Sequence, residues 1–514
     1  MKGQRNLLLT CFRGNSIIFI SLAVYFFFLP FVLMISYFGD SGLKRKKMPK
    51  VAFRLHRRLS PEYENWAGRR IKSDLAKNLS VEEISATEWP VFGSVFYLWA
   101  TENLQEAWER DQNLWPVAPK VYAADTIEAA AALITDPSHA SWVKEHWGKD
   151  YLHKENLFYR MLLISGMTSY HKLLGGDKYL DSLRNQVETL SDELDKSRFG
   201  LLDDYPGQCY PTDVMAAIAA IKRADAVLGT DHSQFVARSI RGFENHLVDS
   251  TGLPPYRADS RSGVIGISRG CSSQWMAIWA PELWPEKAKE WYDDFEEHFW
   301  QKRWTAVGFR EFPRESRTKD WYIDVDSGPV ICGYGAAACA FGIGAARANG
   351  RFDHAYPLSM EVLLTSWPLP NGTLFIPRFL SNATHAPYLG EAALLYAITR
   401  MPAGDVEITG PGKLPAFVYI VLGMYLCGGL LIVTATIISH RFRLKQMKKK
   451  HYPLVKAQLA VWAAFVITGI ALAVGYRLEI GLLLILLAQL LPRGFTKSIL
   501  KEDKSLQQAR LDGD

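Results

Sequence analysis

Residues 16–38 form a run, SIIFISLAVYFFFLPFVLMISYF, that carries no charged side chain. A helix of about 20 predominantly apolar residues is long enough to cross the hydrocarbon core of a bilayer. No small-residue cleavage site follows the run, so a retained anchor is favoured over a cleaved signal peptide. The sequence therefore predicts a membrane-anchored protein, with the bilayer as its first partner.

Further apolar runs lie at 415–439, at 457–475 and, as a possible fourth span, at 480–492. The segment HRFRLKQMKKKH (440–451) separates the first two of these runs and is rich in Lys and Arg. Basic loops of this kind stay in the cytoplasm, so the helix before this loop should end inside the cell. We therefore expect a multi-pass integral membrane protein.

This orientation places the region between the first two spans, 50–410, outside the cytoplasm, in the periplasm or the extracellular space. Residues 1–15 and the tail 493–514 are then cytoplasmic. The basic run KRKK at 44–47 argues for the opposite orientation, in which the central domain is cytoplasmic. The first orientation is preferred because it satisfies both the N-terminus and the 440–451 loop.

Composition excludes several functional classes. The formal net charge is +6, but the basic residues cluster beside the apolar runs, which indicates membrane topology and no nucleic-acid partner. The six cysteines show neither a CxxC motif nor zinc-ligand spacing, so no disulfide framework and no metal site are predicted. No phosphate-binding glycine loop is present, and we expect no cofactor.

Between residues 50 and 410, apolar residues recur with helical periodicity and are interrupted by Gly and Pro. Strand signals are sparse. Successive helical hairpins predict an all-α fold, an (α/α)6 barrel or toroid, with an α-hairpin solenoid as the alternative. The predicted helices are 85–110, 124–135, 155–174, 177–195, 212–228, 232–247, 271–280, 286–301, 329–348, 353–366 and 388–399.

The stretch LLDDYPGQCYPTD (201–213) holds the first candidate catalytic residues. Thr212 or Asp213 can cap the following helix. Capping does not explain the adjacent carboxylates Asp203 and Asp204, which repel each other unless they are solvated or used in a site. These two residues and Cys209 are predicted catalytic residues, and Tyr205 is a predicted substrate-binding residue.

A second stretch, DWYIDVDSGPVICGYG (320–335), supplies Asp326 as a further catalytic candidate. A simple helix cap by Asp326 or Ser327 is the competing interpretation. The aromatic-rich stretches 86–110 and 263–283 contain the predicted substrate-binding residues Trp89, Tyr97 and Trp275. Packing in the core explains such rings as well as a pocket does, although Glu88 among them suggests a pocket wall.

Several stretches, in the same order, resemble the linalool dehydratase/isomerase family, whose members fold as an (α/α)6 barrel. The resemblance covers about residues 85–400. The stretches that carry it are NLQEAWE (103–109), VYAADTIEAAAALITDP (121–137), HKENLFYRMLLISGMTSYHKLLGGDKY (153–179), DDYPGQCYPTDVMAAIAAIKRADAVLGTDH (203–232), DVDSGPVICGYGAAACAFGIGAAR (324–347) and LGEAALLYAIT (389–399).

The resemblance implies a pocket lined by paired cysteines, a histidine, an aspartate and tyrosines. Cys209 matches the second family cysteine and Tyr122 a pocket tyrosine, which makes Tyr122 a predicted substrate-binding residue. The first cysteine would fall near Gly200 and the histidine at Leu162, so both are absent. The resemblance also implies homo-oligomeric rings, which four membrane spans would oppose.

The carboxylates that stand in place of the missing Cys and His favour acid/base chemistry. The first predicted function is a hydro-lyase or isomerase acting on an alcohol-bearing terpenoid or lipid-like small molecule. The second is an inverting glycosidase acting on an extracytoplasmic glycan, which also needs two carboxyl groups. The third is a non-catalytic, membrane-tethered binding domain.

Overall fold

A computed structural model describes residues 2–475, except 80–83, 246–247, 304, 317–319, 405 and 449–451. Beyond residue 475 it describes only 481, 484, 485 and 488. The predicted span 480–492 and the tail 493–514 therefore lie almost entirely outside the described residues.

The described elements are mostly helical, which confirms the prediction of a mainly α fold. The α-helices are α1 Lys2–Ala23, α2 Leu29–Phe38, α3 Ser41–Lys44, α4 Lys50–Lys72, α5 Ile84–Arg110, α6 Pro119–Tyr122, α7 Ala124–Thr135, α8 Ser141–Trp147, α9 Leu157–Leu174, α10 Leu180–Lys196, α11 Pro211–Leu228, α12 Ser233–Asn245, α13 Gly270–Leu283, α14 Pro285–Phe299, α15 Ala336–Ala348, α16 Phe352–Thr365, α17 Phe375–Asn382, α18 Leu389–Thr399, α19 Ala416–Lys448 and α20 Tyr452–Gly475. A π-helical turn, Val24–Phe28, joins α1 to α2. The short strands are β1 Trp300–Arg303, β2 Ala306–Phe309, β3 Trp321–Asp324, β4 Gly328–Ile331 and β5 Tyr334–Gly335.

The chain divides into two compact units, a terminal unit (residues 1–32 and 423–514) and a central unit (residues 33–422). Two helical stretches, Arg13–Phe38 and Ala416–Arg441, are long and apolar enough to cross a membrane. In the terminal unit, close contacts join the ends of the chain. Ser16 hydrogen-bonds His440 at 3.1 Å, and Phe27 lies beside Tyr425.

In the central unit, six helices contact one another in a closed cycle. Each of α5, α9, α11, α13, α15 and α18 packs against the next, and α18 packs against α5. The other helices flank this cycle: α7 packs on α5 and α9, α10 on α9 and α11, α14 on α13, and α16 on α15. We call these six helices the inner ring.

The inner helices run parallel, because residues early in one helix meet residues early in another, and late residues meet late residues. The pairs that show this are Glu88 with Asp213 and Glu102 with Arg223 for α5 and α11, Phe92 with Trp275 and Trp99 with Trp279 for α5 and α13, Phe92 with Phe158 and Glu102 with Ser169 for α5 and α9, Phe96 with Tyr396 and Asn103 with Thr399 for α5 and α18, and Gly270 with Ala338 and Ile278 with Gly344 for α13 and α15. All six N-termini therefore lie at one end of the ring, which we call the N-terminal rim.

Aromatic side chains fill the interior of the ring. Phe96 stacks on Tyr396 at 5.6 Å between ring centroids, and Trp99 meets Trp279 edge to face at 4.9 Å. At the end opposite the N-terminal rim, the buried carboxylate of Glu102 pairs with Lys172 and Arg223. These two cations outweigh the effect of burial and lower the pKa of Glu102 to about 2. Glu102 is therefore an ion-paired, ionised carboxylate and not a candidate proton donor.

Two sequence predictions about secondary structure were wrong, and one competing interpretation is excluded. The helix predicted at 329–348 begins only at Ala336, because Gly328–Gly335 form β4 and β5. Asp326 and Ser327 therefore lie in a hairpin turn and do not cap a helix. The basic segment 440–451 is not a loop throughout, because α19 continues to Lys448.

Candidate active site at the N-terminal rim

The loop that precedes α11 is held in place by Asp203. Pro206 and Gly207 occupy the centre of a turn closed by the pairing of Tyr205 with Gln208, and Gly207 has a φ of 76° that favours glycine. The carboxylate of buried Asp203 accepts hydrogen bonds from Gly207 N (2.7 Å) and Ser260 Oγ (2.6 Å). Both oxygens are occupied, so Asp203 shapes the loop, and its predicted catalytic role is not supported.

Asp204 is placed differently from its neighbour. Its side chain is 2% exposed, and its Oδ2 accepts a hydrogen bond from Tyr210 N at 3.0 Å. Its Oδ1 is buried with no hydrogen-bond partner among the described residues. Burial, reinforced by the neighbouring charge of Asp213, raises the pKa of Asp204 well above its usual value. The Phe158 N–H also lies close enough to stabilise the carboxylate form weakly. Asp204 is therefore a buried acid that has few donors to stabilise its charge.

Asp213 and Glu88 complete a carboxyl cluster with Asp204. Burial, followed by the charges of Glu88 and Asp326, raises the pKa of Asp213 to about 8. Burial also raises the pKa of Glu88 to about 7, even though a hydrogen bond from Tyr205 favours its ionised form. Both side chains remain half-buried, so solvent reaches them. At neutral pH the cluster contains both a protonated acid and a partly ionised carboxylate.

Asp213 does not cap α11. The capping position is held by Tyr210, which makes no side-chain capping bond, and Pro211 begins the helix. The sequence predicted a capping role for Thr212 or Asp213, and this was wrong because the loop ends earlier than expected. Asp213 instead lies in the first turn of α11 and belongs to the carboxyl cluster.

Two tyrosines hold the outer carboxylates. The Tyr205 hydroxyl donates to Glu88, and the Tyr256 hydroxyl donates to Asp326. Asp326 lies in the turn between β3 and β4, exposed to solvent. Its charge reaches both Glu88 and Asp213, which places it at the opening of the cluster. The predicted approach of Asp326 to the Asp204 loop is therefore supported by the geometry.

The turn that carries Asp326 is fixed to α13 by an ion pair. Arg269, the residue before α13, donates to Glu311 at 2.7 Å and to Asp324 at 2.8 Å. Asp324 also accepts from Ser327 N at 2.7 Å, which closes the hairpin turn. Charge-assisted bonds of this type limit movement of the turn relative to α13. The turn that carries Asp326 is therefore held in a fixed position relative to α13.

Two thiols adjoin the cluster. Cys209 is fully buried beside Asp204, and burial followed by the charge of Asp204 raises the pKa of its thiol well above the usual value. Cys271, in the first turn of α13, is half-buried, and burial followed by the charge of Glu311 likewise raises its pKa. A thiol with a raised pKa remains protonated and is a poor nucleophile. The carboxyl groups are therefore the better candidates for proton transfer.

Aromatic rings form the inner wall of the cluster. Phe92 lies edge to face with Phe158 at 5.1 Å and with Trp275 at 5.8 Å. The predicted position of Trp275 in the pocket is consistent with this arrangement. Trp89 follows Glu88 in the first turns of α5 and is half-buried.

Tyr97 and Tyr122 lie in a different place, and their predicted substrate-binding role is not supported. Tyr97 is fully buried, stacks on His56 at 5.0 Å, and hydrogen-bonds Ser60. The Tyr122 hydroxyl forms a hydrogen bond with Nδ1 of the same histidine, His56, at 2.8 Å. The α-helical period turns Tyr97 toward α4, away from the ring interior that Phe96 faces.

The structure adds residues that the sequence did not assign to the site. Glu88, Asp213, Tyr256 and Cys271 join it from four different elements. Only Glu88, a carboxylate in an aromatic-rich stretch, gave a usable signal. Among the described residues, no group of three or more His, Cys, Asp or Glu side chains could hold a metal ion.

A cavity of about 590 Å³ lies elsewhere, between α10 and α12. Its wall contains Asp195 and Arg238, which pair with each other, and Arg198, which stacks on Phe199. It contains none of the clustered carboxylates. Its two carboxylates are paired within the wall, Asp195 with Arg238 and Asp192 with Lys196.

Comparison with known proteins gives little further guidance. No family model matches this chain, and no curated protein matches it. A solved structure of a glycoside hydrolase from family 105 of C. acetobutylicum ATCC 824 is similar, with 13% sequence identity and a TM-score of 0.38. The similarity covers 66% of this chain and 99% of that chain. A likeness this distant carries no argument about activity.

Proposed function

We propose that the central unit is an enzyme that uses the carboxyl cluster of Asp204, Asp213 and Glu88 for acid/base catalysis. The observation that carries this proposal is the meeting of buried Asp204 with half-buried Asp213 and Glu88 at one rim, where burial raises the pKa of Asp213 to about 8 and that of Glu88 to about 7. When the surroundings give two carboxyl groups different pKa values, one can donate a proton and the other can accept a proton in the same reaction. The closed, parallel ring of inner helices supports an (α/α)6 toroid as its fold.

The reaction we favour is elimination or isomerisation of an alcohol. Asp213 or Asp204 donates a proton to the hydroxyl oxygen, the C–O bond breaks, and water leaves. Glu88, in its ionised form, takes a proton from the adjacent carbon, and the C–H electron pair becomes the new double bond. The acid has lost one proton and the base has gained one, so the products are an alkene and water. Return of water at another carbon gives the isomer.

The surroundings of the cluster favour a substrate with an apolar body. Phe92, Phe158 and Trp275 offer ring surfaces behind the carboxyl groups, and aromatic faces also stabilise positive charge that develops when a C–O bond breaks. This supports the resemblance to linalool dehydratase/isomerase as a proposal about reaction class. The absence of the family's first cysteine and histidine argues for a changed set of catalytic groups.

Inverting glycoside hydrolysis is the second candidate. It requires a protonated acid and a second carboxylate that activates water from the other side of the sugar. Asp326 is exposed to solvent at the opening of the cluster, which is where such a water would enter. In this reading Asp213 protonates the leaving oxygen and Asp326 is the base.

We further propose that the protein is a multi-pass membrane protein whose central unit lies outside the cytoplasm. Two helices of sufficient length and apolarity support the anchoring, and the basic C-terminal end of α19 supports the orientation. Both proposed substrate classes are compatible with this location, since an apolar alcohol can arrive from the bilayer and a glycan from the cell envelope.

Oxygen exchange distinguishes the two reactions. The full-length protein in detergent is incubated in H₂¹⁸O with a tertiary allylic alcohol such as linalool, or with oligosaccharides. Reversible elimination places ¹⁸O at the carbinol carbon, whereas glycoside hydrolysis places it at the anomeric carbon with inversion.

Variants then test the assignment of residues. Asp204→Asn and Asp213→Asn should each lower the rate by about 10²–10⁴. Cys209→Ser should lower it much less, because its thiol is not needed for proton transfer. Loss of turnover in Cys209→Ser with full activity in both Asn variants would refute the carboxyl mechanism.

A further inference from the structure

The loop between α12 and α13 brings an arginine to the opening of the carboxyl cluster. Ala258 N donates to Cys209 O at 3.0 Å, and Gly266 N donates to Arg257 O at 2.8 Å. Arg257 is therefore fixed, at its backbone, between the Asp204 loop and a second extended segment.

The Arg257 side chain is held by aromatic rings and not by a carboxylate. Its guanidinium lies 5.2 Å from the centroid of Tyr210 and 5.4 Å from that of Tyr256, and Nη2 donates to the Tyr210 hydroxyl at 2.8 Å. Among the described residues it forms no salt bridge, whereas Arg269, which also lies over Tyr256, pairs with two carboxylates.

This arrangement leaves donors free on a cation that is already oriented. A guanidinium has five N–H donors in a planar fork that matches a carboxylate or phosphate, and the bonds to Tyr210 and Tyr256 leave several of them for a ligand. The side chain is exposed, so a ligand can reach it. The six inner helices also direct their N-termini toward this rim, which adds positive potential.

We propose that Arg257 binds an anionic group, a carboxylate or a phosphate, on the substrate of the carboxyl cluster. This inference rests on the proposed function and specifies its substrate class as an apolar alcohol or sugar that carries an oxyanion. Among the nearby carboxyl groups, burial favours the uncharged form of Asp204 and Asp213, whereas Asp326 and Glu88 oppose an anionic ligand. The Arg257 guanidinium and the helix N-termini offset this repulsion. Tyr210 links the two features, since its hydroxyl bonds Arg257 while its N–H bonds Asp204.

Binding of three small compounds to the full-length protein tests the proposal. We would measure 1-hexanol, hexanoate and hexyl phosphate by isothermal titration at pH 6.5. At least one anion should bind about tenfold more tightly than hexanol, since a charge-assisted bond is involved. The stronger of the two anions identifies a carboxylate or a phosphate as the natural group.

Substitutions assign the effect to the residue. Arg257→Gln should remove the preference for the anion, and Arg257→Lys should restore part of it. Arg261→Gln, an exposed arginine in the same loop, is the matched control and should leave the preference intact. Equal binding of the three compounds, or no binding of any, would overturn the inference. The ¹⁸O experiment is independent of this result, so the two proposals can fail separately.

Discussion

The raised pKa of Asp213 makes a prediction that needs no knowledge of the substrate. Its pKa rises from 3.8 to about 8 on folding. Between pH 5 and pH 7 the folded protein therefore holds a proton that the unfolded chain has released. The stabilising contribution of this proton is fully present below pH 4 and is lost as the pH rises toward 8.

The size of the effect follows from linkage. One bound proton changes the free energy of unfolding by about 1.4 kcal/mol per pH unit, or about 2.7 kcal/mol between pH 5 and pH 7. The asparagine side chain of the Asp213→Asn variant cannot bind this proton. The stability of the variant relative to wild type should therefore rise by about that amount over the same interval. Asp204 contributes a slope of the same sign in both proteins, and because the charge of Asp213 also acts on Asp204, the difference reports the proton shared by this coupled pair.

The measurement is denaturant unfolding of the full-length protein in detergent at pH 5, 6 and 7, followed by tryptophan fluorescence. Asp181→Asn, at the exposed start of α10, is the matched control and should give a difference that does not vary with pH. A pH-independent difference for Asp213→Asn would mean that Asp213 is ionised in the folded protein. In that case it could not serve as the proton donor.

Two further predictions concern the base and the topology. Tyr205→Phe removes the hydrogen bond that lowers the pKa of Glu88. The acidic limb of the pH–rate profile, which we expect near pH 7 in the wild type, should therefore move to higher pH in the variant. An unchanged limb would exclude Glu88 as the base. Reporter fusions after residues 300 and 446 should give opposite signals for an extracytoplasmic central unit, and matching signals would contradict that orientation.

The sequence alone determined the helical character of this protein. The helix predicted at 124–135 matches α7, and those predicted at 212–228 and 353–366 match α11 and α16 within one residue. Local apolar periodicity and Gly or Pro breaks are sufficient for this, since they report which face of a segment is buried. The apolar run 16–38 was equally visible, because span length and lack of charge are properties of composition.

The sequence also found part of the site, but it could not assign roles within it. It selected Asp203 and Asp204 together, because adjacent carboxylates look alike in a sequence. Only the folded loop distinguishes them: Asp203 accepts hydrogen bonds at both oxygens, from Gly207 and Ser260, whereas Asp204 Oδ1 is buried without a donor at full hydrogen-bond geometry among the described residues. The difference depends on loop 256–267, which is distant in the chain.

Tertiary structure alone decided the composition of the carboxyl cluster. Glu88, Asp213 and Asp326 are separated by more than a hundred residues, and they meet because α5 and α11 run parallel and a braced hairpin places Asp326 over their N-terminal rim. The raised pKa values of Glu88 and Asp213 arise from burial and from the charges of neighbouring carboxylates, neither of which acts in the unfolded chain. Tyr97 was wrongly predicted to bind substrate because the sequence does not show which way each aromatic residue of α5 faces. In the structure Phe96 faces the interior of the ring, whereas Tyr97 packs on His56.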